Sequence, residues 1–288
     1  MRDFEPTCEY FVGIDSDGCA FDTMEPKQKE VFCPTTIWKW DLMAVSKYAR
    51  EVWLFVNLYS KTRGCNRFLA LDYAMDFIRE RPQVQRRGVT VPAMTELKAW
   101  IGRETKLGNP ALEAEVEATG NAELARCLDW SATINETVAK VVKGIPPFPG
   151  VRESLELLSG KADMMVVSAT PCEALEREWR EHGIAEHMAV IAGQELGKKA
   201  EHLALTAGGK YPPEKILMIG DAPGDMKAAR ANHAMFFPVN PGHEEESWER
   251  FHQEAGPKFL AGEYTREYEA ERIAEFDKLL PETPPWQT

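Results

Sequence analysis

Two rhythms of apolar residues divide the chain. From Thr35 to about Val142 the apolar positions recur at spacings of three and four, beginning with Trp38, Leu42, Val45, Ala49, Val52 and Val56. That period lines one face of an α-helix. Thr35 or Thr36 reads as the cap of this first helix. Further helices are expected from Asn66 to about Arg79, from Ala93 to about Arg103, from Asn109-Pro110 to Gly120, and from Asn121 to about Val142. Asn-Pro supplies an N-cap followed by proline at the first helical position, where a missing N–H costs nothing. Nothing between 35 and 143 alternates convincingly as a strand does, although Val52 to Val56 is apolar enough to suit either form. Met and Trp positions in this block read as helix–helix core.

After Gly144 the rhythm changes. Gly144-Ile-Pro-Pro-Phe-Pro-Gly150 is dense in proline and glycine and reads as a hinge. Beyond it, short apolar runs at 163–167, 188–192, 216–219 and 234–238 alternate with helical segments at 151–158, 173–182, 199–206 and 225–231. Strands alternating with helices predict a parallel sheet covered on both faces. Tyr10 to Ile14 is one more such run and must join the same sheet. The block before Gly144 is therefore an insertion. Pro26 and Pro34 bracket a charged linker, Glu25 to Glu30, as its other hinge, so that the insertion can swing as a lid. The expected architecture is α/β: a Rossmann-like doubly wound parallel-sheet core from 1–24 and 147–288, with an all-helical cap domain at 25–146. A C-terminal extension from about 246 is charged and poorly patterned, with a helix expected from Glu263 to Leu280 and a tail at Pro281-Glu-Thr-Pro-Pro.

Composition narrows the classes. The 288 residues carry a net charge of −12, which disfavours nucleic acid because phosphate backbones need a basic face. No apolar run approaches membrane-span length. Six scattered cysteines, with no C-x-x-C pair and no apolar leader segment, read as reduced thiols of a cytoplasmic protein. Between 61 and 87, seven basic residues (Lys61, Arg63, Arg67, Arg79, Arg81, Arg86, Arg87) face three acidic ones. That run suits either an anionic substrate or a solvated helix surface. Oligomeric state is not fixed by any of these features.

Chemistry concentrates where apolar runs stop. Tyr10 to Ile14 ends in Asp15 and Asp17, with Gly18 behind them; 163–167 ends in Ser168; 216–219 ends in Gly220-Asp221. Ligands of open α/β sheets bind at the carboxyl ends of the strands. Two carboxylates at the end of a buried strand are costly unless they hold a cation or share a proton. A hard cation such as Mg²⁺ takes oxygen ligands of this kind. Ser168 also suits a helix N-cap before Pro171, and Asp225 an N-cap of the helix that follows it.

The stretch Asp15-Ser-Asp-Gly-Cys-Ala-Phe-Asp22 resembles the first signature, D-x-D-G-x-x-x-D, of the haloacid-dehalogenase-like superfamily. Three more stretches follow in that family's order. Val166-Val-Ser-Ala-Thr170 resembles its second signature, Gly197-Lys198-Lys199-Ala-Glu-His its third, and Gly220-Asp221-Ala-Pro-Gly-Asp225 its fourth, G-D-x-x-x-D. In the third the proline that usually follows the lysine is absent, and of the adjacent pair Lys199 is preferred to Lys198 because the helix starts there in the usual register.

The resemblance implies a phosphatase acting on a small phosphorylated metabolite, with Mg²⁺ as cofactor. Asp15 is then the nucleophile that becomes an aspartyl-phosphate, and Asp17 the general acid and base. Ser168 and the Ala169 amide would hold phosphoryl oxygens with Lys199. Asp15, Asp17 (through its backbone carbonyl) and Asp221 would hold the metal, with Asp225 completing or orienting the site. The dehalogenase branch lacks an aspartate at the place of Asp17, so its presence implies phosphoryl chemistry. A phosphomutase or phosphotransferase would use the same residues, and a catalytically silent binding protein the same fold.

Overall fold

The computed structural model describes residues 1–287. It divides into two compact units, one made of Met1–Met24 with Gly144–Pro281, the other of Glu25–Lys143 with the segment that begins at Glu282.

The first unit is built on a five-stranded parallel sheet. Its strands are β1 (Tyr10–Ile14), β2 (Ala162–Val167), β3 (Met188–Ala192), β4 (Ile216–Gly220) and β5 (Met235–Pro238), in the order β3-β2-β1-β4-β5. All pairings are parallel, with Ile14 opposite Val166 on one side and Ile219 on the other. Every residue of β2 and β4 is buried, as strands covered on both faces require. Alternate side chains leave on opposite faces. Val12, Ile14, Val166, Leu217 and Ile219 pack on one side with Trp179 and Trp248. Phe11, Met165, Val167 and Met218 pack on the other with Leu203 and Phe236. From β1 the chain passes to β2 and β3 on one side, then to β4 and β5 on the other. β1 thus lies at the reversal of strand order, where open α/β sheets form their crevice.

One carboxylate interrupts the apolar run of β2. Asp163 accepts hydrogen bonds from the Thr7 hydroxyl (2.5 Å), the Thr7 and Cys8 amides (2.9 and 2.8 Å) and the Tyr211 hydroxyl (2.6 Å). Burial alone would push its pKa up, and these donors hold it below the usual carboxylate value.

The extension expected from about 246 as poorly patterned but for a helix at Glu263 to Leu280 is helical over most of its length, starting at Glu244. Glu244–Arg250, a wider turn at Phe251–Ala255 and Gly256–Leu260 run together, then Arg266–Leu279 follows. Trp248, Phe251, Ala255 and Phe259 recur at helical spacing and are fully or almost fully buried on the sheet. The dense charges between them hide that stripe in the sequence.

In the second unit the charged stretch Glu25 to Glu30 is not a linker. Met24–Pro26, Lys27–Phe32 and Cys33–Lys39 are consecutive helical segments, and both prolines sit where a helix tolerates them, in a first turn. The apolar series that starts at Trp38 then breaks at Asp41, which has φ 54°, and resumes in Ser46–Leu58. Leu42, Val45, Ala49, Val52 and Val56 are buried accordingly, whereas Trp38 is 64% exposed. Arg67–Glu80, Thr95–Arg103, Asn109–Thr119 and Ala122–Val141 complete the bundle. Asn66 caps the first of these by accepting the Phe68 amide, and Asn121 caps the last by accepting those of Glu123 and Leu124. Trp130 is the hub of the bundle's core, with Phe32, Trp40, Trp53 and Phe68 edge-on to it at 5.8–6.3 Å.

Several of the basic residues noted above are used within this unit. Arg63 donates to Leu58 O, Arg67 to Ser131 and Asn135, and Arg87 to Ala44 O; Arg79 pairs with Asp76 and Arg81 with Glu51. The segment from Glu282, expected with the core, belongs here too. Trp286 lies edge-on to Phe55 (5.3 Å) and Phe77 (6.2 Å), with the Arg81 guanidinium 4.5 Å from its ring centre.

Candidate active site

The site forms where β1, β2 and β4 stop. Asp15 follows β1 directly. Its amide donates to Ile219 O of β4, which fixes the residue at the sheet's end. One carboxylate oxygen accepts the Ser16 amide at 2.8 Å and the other the Lys199 ammonium at 2.5 Å. Behind it the chain turns sharply. Gly18 has φ 76°, and the amides of Ala20 and Phe21 return to Ser16 O. Ser16, fully buried, accepts from the Trp179 indole N–H at 3.0 Å and faces Glu178.

Asp221 follows β4, and Asp225 folds back from the first turn of the helix Pro223–Ala231. One Asp225 oxygen accepts the Ala222 amide (3.1 Å), the other Lys199 Nζ (2.7 Å). This return requires Gly220. A β-carbon there would stand 2.3–2.6 Å from the Asp225 side chain, so only glycine fits between strand and carboxylate. Lys199 opens the helix Lys199–Thr206 and bridges Asp15 and Asp225, while Lys198 beside it is exposed.

Asp15, Asp221 and Asp225 form a buried group whose carboxylate oxygens lie within 4.8 Å of one another. Burial pushes the Asp15 carboxyl well above the usual carboxylate range; Lys199 opposes this, and the charges of Asp225 and Asp221 add to it. Burial works against the charge on the Lys199 ammonium, but Asp15 and Asp225 hold it strongly protonated. Three buried carboxylates gathered so closely make an oxygen-only donor set. That donor set fits a hard divalent cation.

Ser168 follows β2, buried, with its amide on Ala192 O; its hydroxyl oxygen accepts the Thr170 amide at 3.2 Å. Ala169 beyond it is exposed. Asp17 does not join the carboxylate group with its side chain. Its two oxygens accept the hydroxyls of Thr23 (2.5 Å) and Thr170 (2.8 Å). Neither threonine stands out in the sequence, because a hydroxyl in a turn reads first as a cap.

The parallel sheet thus gathers carboxylates, a lysine and a serine at one end of its strands. The family model for haloacid dehalogenase-like hydrolases matches residues 86–239, which include Ser168, Lys199, Asp221 and Asp225. The chain belongs to this family of hydrolases.

Among solved structures, a provisionally named phosphoglycolate phosphatase from Lactobacillus delbrueckii subsp. bulgaricus is similar in fold. It is 17% identical, with a TM-score of 0.51 over 86% of this chain and 92% of that one. A similarly named protein from Lactobacillus plantarum gives 14% identity and 0.44, over 84% and 91%. L-2-haloacid dehalogenase from Xanthobacter autotrophicus gives 14% and 0.40, over 97% and 96%. No curated protein gave a significant match. Among the described residues, no helix is long and apolar enough to cross a membrane.

Proposed function

We propose that this hydrolase is a Mg²⁺-dependent phosphatase that cleaves a small phosphorylated metabolite through an aspartyl-phosphate. The observation that carries this reading is the buried group of Asp15, Asp221 and Asp225, closed by one ammonium from Lys199. The cation would be held by the carboxylates of Asp15 and Asp221 and the backbone carbonyl of Asp17, with Asp225 orienting the site. When bound it offsets the repulsion between this group and an incoming phosphate.

A carboxylate oxygen of Asp15 attacks phosphorus while the bond to the ester oxygen breaks, and that oxygen takes a proton from Asp17. Asp17, now a carboxylate, takes a proton from water. The water oxygen attacks phosphorus, and inorganic phosphate leaves Asp15 free. Lys199, Ser168 and the Ala169 amide hold the phosphoryl oxygens as charge shifts among them. Asp15 is oriented for attack by its bonds to Ser16 and Lys199.

The test is a panel of phosphosugars, nucleotides, phosphorylated short acids and 4-nitrophenyl phosphate, assayed with Mg²⁺ and with chelator. Turnover of at least one ester, lost in chelator and restored by Mg²⁺, is expected, with much weaker Mg²⁺ binding in Asp221→Ala. Full activity in chelator overturns the metal's role. Labelled phosphate passing to an added alcohol instead of water would make the protein a phosphotransferase.

A further inference from the structure

Asp17 and Ser168 come from different strand ends, and one residue ties them together. Thr170 donates its hydroxyl to Asp17 at 2.8 Å and its amide to the Ser168 hydroxyl oxygen at 3.2 Å. Its carbonyl accepts the Gln194 amide at 3.0 Å, from the segment that follows β3. The fit there is close. A β-carbon on Gly193 would stand 2.4 Å from Thr170 O and 2.6 Å from the Cys172 amide nitrogen. The Thr170 backbone is thus held on two sides, and its hydroxyl is held by the bond to Asp17. Thr23, fully buried, holds the other Asp17 oxygen at 2.5 Å.

We propose that Thr170 is a positioning residue that fixes the Asp17 carboxylate relative to the Ser168 phosphate-holding turn, with Thr23 as the second donor. The proposal rests on the phosphatase reading, in which Asp17 carries protons to and from the reacting oxygens. One hydroxyl on each Asp17 oxygen makes a clamp. What it removes is rotation of the carboxylate, and a general acid must sit within hydrogen-bond reach of the oxygen it serves. A single turn then sets both where the phosphoryl group rests and where the proton comes from.

The experiment compares phenyl phosphate with 4-nitrophenyl phosphate, whose leaving group needs no proton. Phosphorylation of Asp15 is followed by rapid quench and mass spectrometry in wild type, Thr170→Val and Thr170→Ser. In Thr170→Val, phosphorylation by phenyl phosphate should slow roughly 10- to 100-fold, the scale of a lost hydrogen bond to a charged group. Phosphorylation by 4-nitrophenyl phosphate should change little. Phosphoenzyme should then accumulate, because water activation needs the same carboxylate.

Thr170→Ser should recover most of the phenyl phosphate rate. Should Thr170→Val fail to fold, Thr23→Val must show the same split. Equal slowing with both substrates, or Thr170→Ser no better than Thr170→Val, overturns the clamp while leaving the phosphatase reading intact. A wild type that never carries phosphate on Asp15 overturns that reading and the clamp with it.

Discussion

Lys199 and Asp15, separated by 184 residues, meet at 2.5 Å through the ammonium and one carboxylate oxygen, and the same ammonium reaches Asp225 at 2.7 Å. The contact joins the end of β1 to the start of the helix Lys199–Thr206. In Lys199→Met the Asp15 and Asp225 carboxylates lose the ammonium that bridges them, and a buried charge without its partner is costly. Turnover should fall by about 10²–10³-fold, as for the loss of one preorganised charge stabiliser. Thermal melting of the variant should depend more steeply on Mg²⁺ than that of wild type. Lys199→Arg should recover little, because a planar fork does not replace a point charge between two oxygens. Steady-state kinetics and melting curves with and without Mg²⁺ check both statements.

The two opening aspartates should fail differently. Asp15→Asn should carry no phosphate after quenching with any substrate. On the proposed mechanism, Asp17→Asn keeps the nucleophile but loses proton transfer in both steps, at a cost of roughly 10²–10⁴-fold. With an activated aryl phosphate it should accumulate phosphate on the peptide that holds residue 15. Label on another residue, or equal trapping by both variants, would reverse the roles.

Asp163 gives a pH-dependent contribution away from the site. Its folded pKa lies below the usual carboxylate value, so the unfolded chain binds its proton more readily. The stability it contributes is therefore fully present above the ordinary carboxylate pKa of about 4, and is lost as pH falls through the lower folded value. Asp163→Asn should cost about 1–3 kcal/mol at neutral pH. The difference from wild type should shrink steadily as denaturation is repeated below pH 4.

Trp286→Ala should loosen the helical unit. It removes two edge-to-face aromatic contacts and the stacking of Arg81. About 1–3 kcal/mol is expected from contacts of these kinds. Amide exchange should quicken in Ser46–Leu58 and Arg67–Glu80 before it does elsewhere. Unchanged exchange there would show that the tail contributes nothing to the bundle.

The sheet and most helices were legible because short apolar runs and helical spacing are local signals. Val151–Leu158 and Lys199–Thr206 have the bounds that the pattern suggests. Asp15 and Asp221 could be grouped from strand ends alone, since parallel strands bring those ends together, whereas Asp225, in the first turn of a helix, was reached only through the family resemblance. Other features were hidden for physical reasons. Trp248, Phe251 and Phe259 are separated by Glu and His, so their stripe is lost in the average polarity. Glu25 to Glu30 looks like a linker because charge and proline suggest one, yet Val31 and Phe32 draw the helix in behind them. The hold of Thr170 on Asp17 spans 153 residues, and no spacing rule reaches so far.

The placement of Trp286 also bears on the order in which the protein is made. Phe55 and Phe77 leave the ribosome long before their aromatic partner does. At about 5–20 residues per second, the roughly 200 intervening residues take about 10–40 s. During that interval the nascent bundle presents Phe55, Phe77 and the Arg81 guanidinium without the indole that covers them. β1 waits in the same way for β2 and β4, which flank it on both sides. Both units therefore depend on chain made much later.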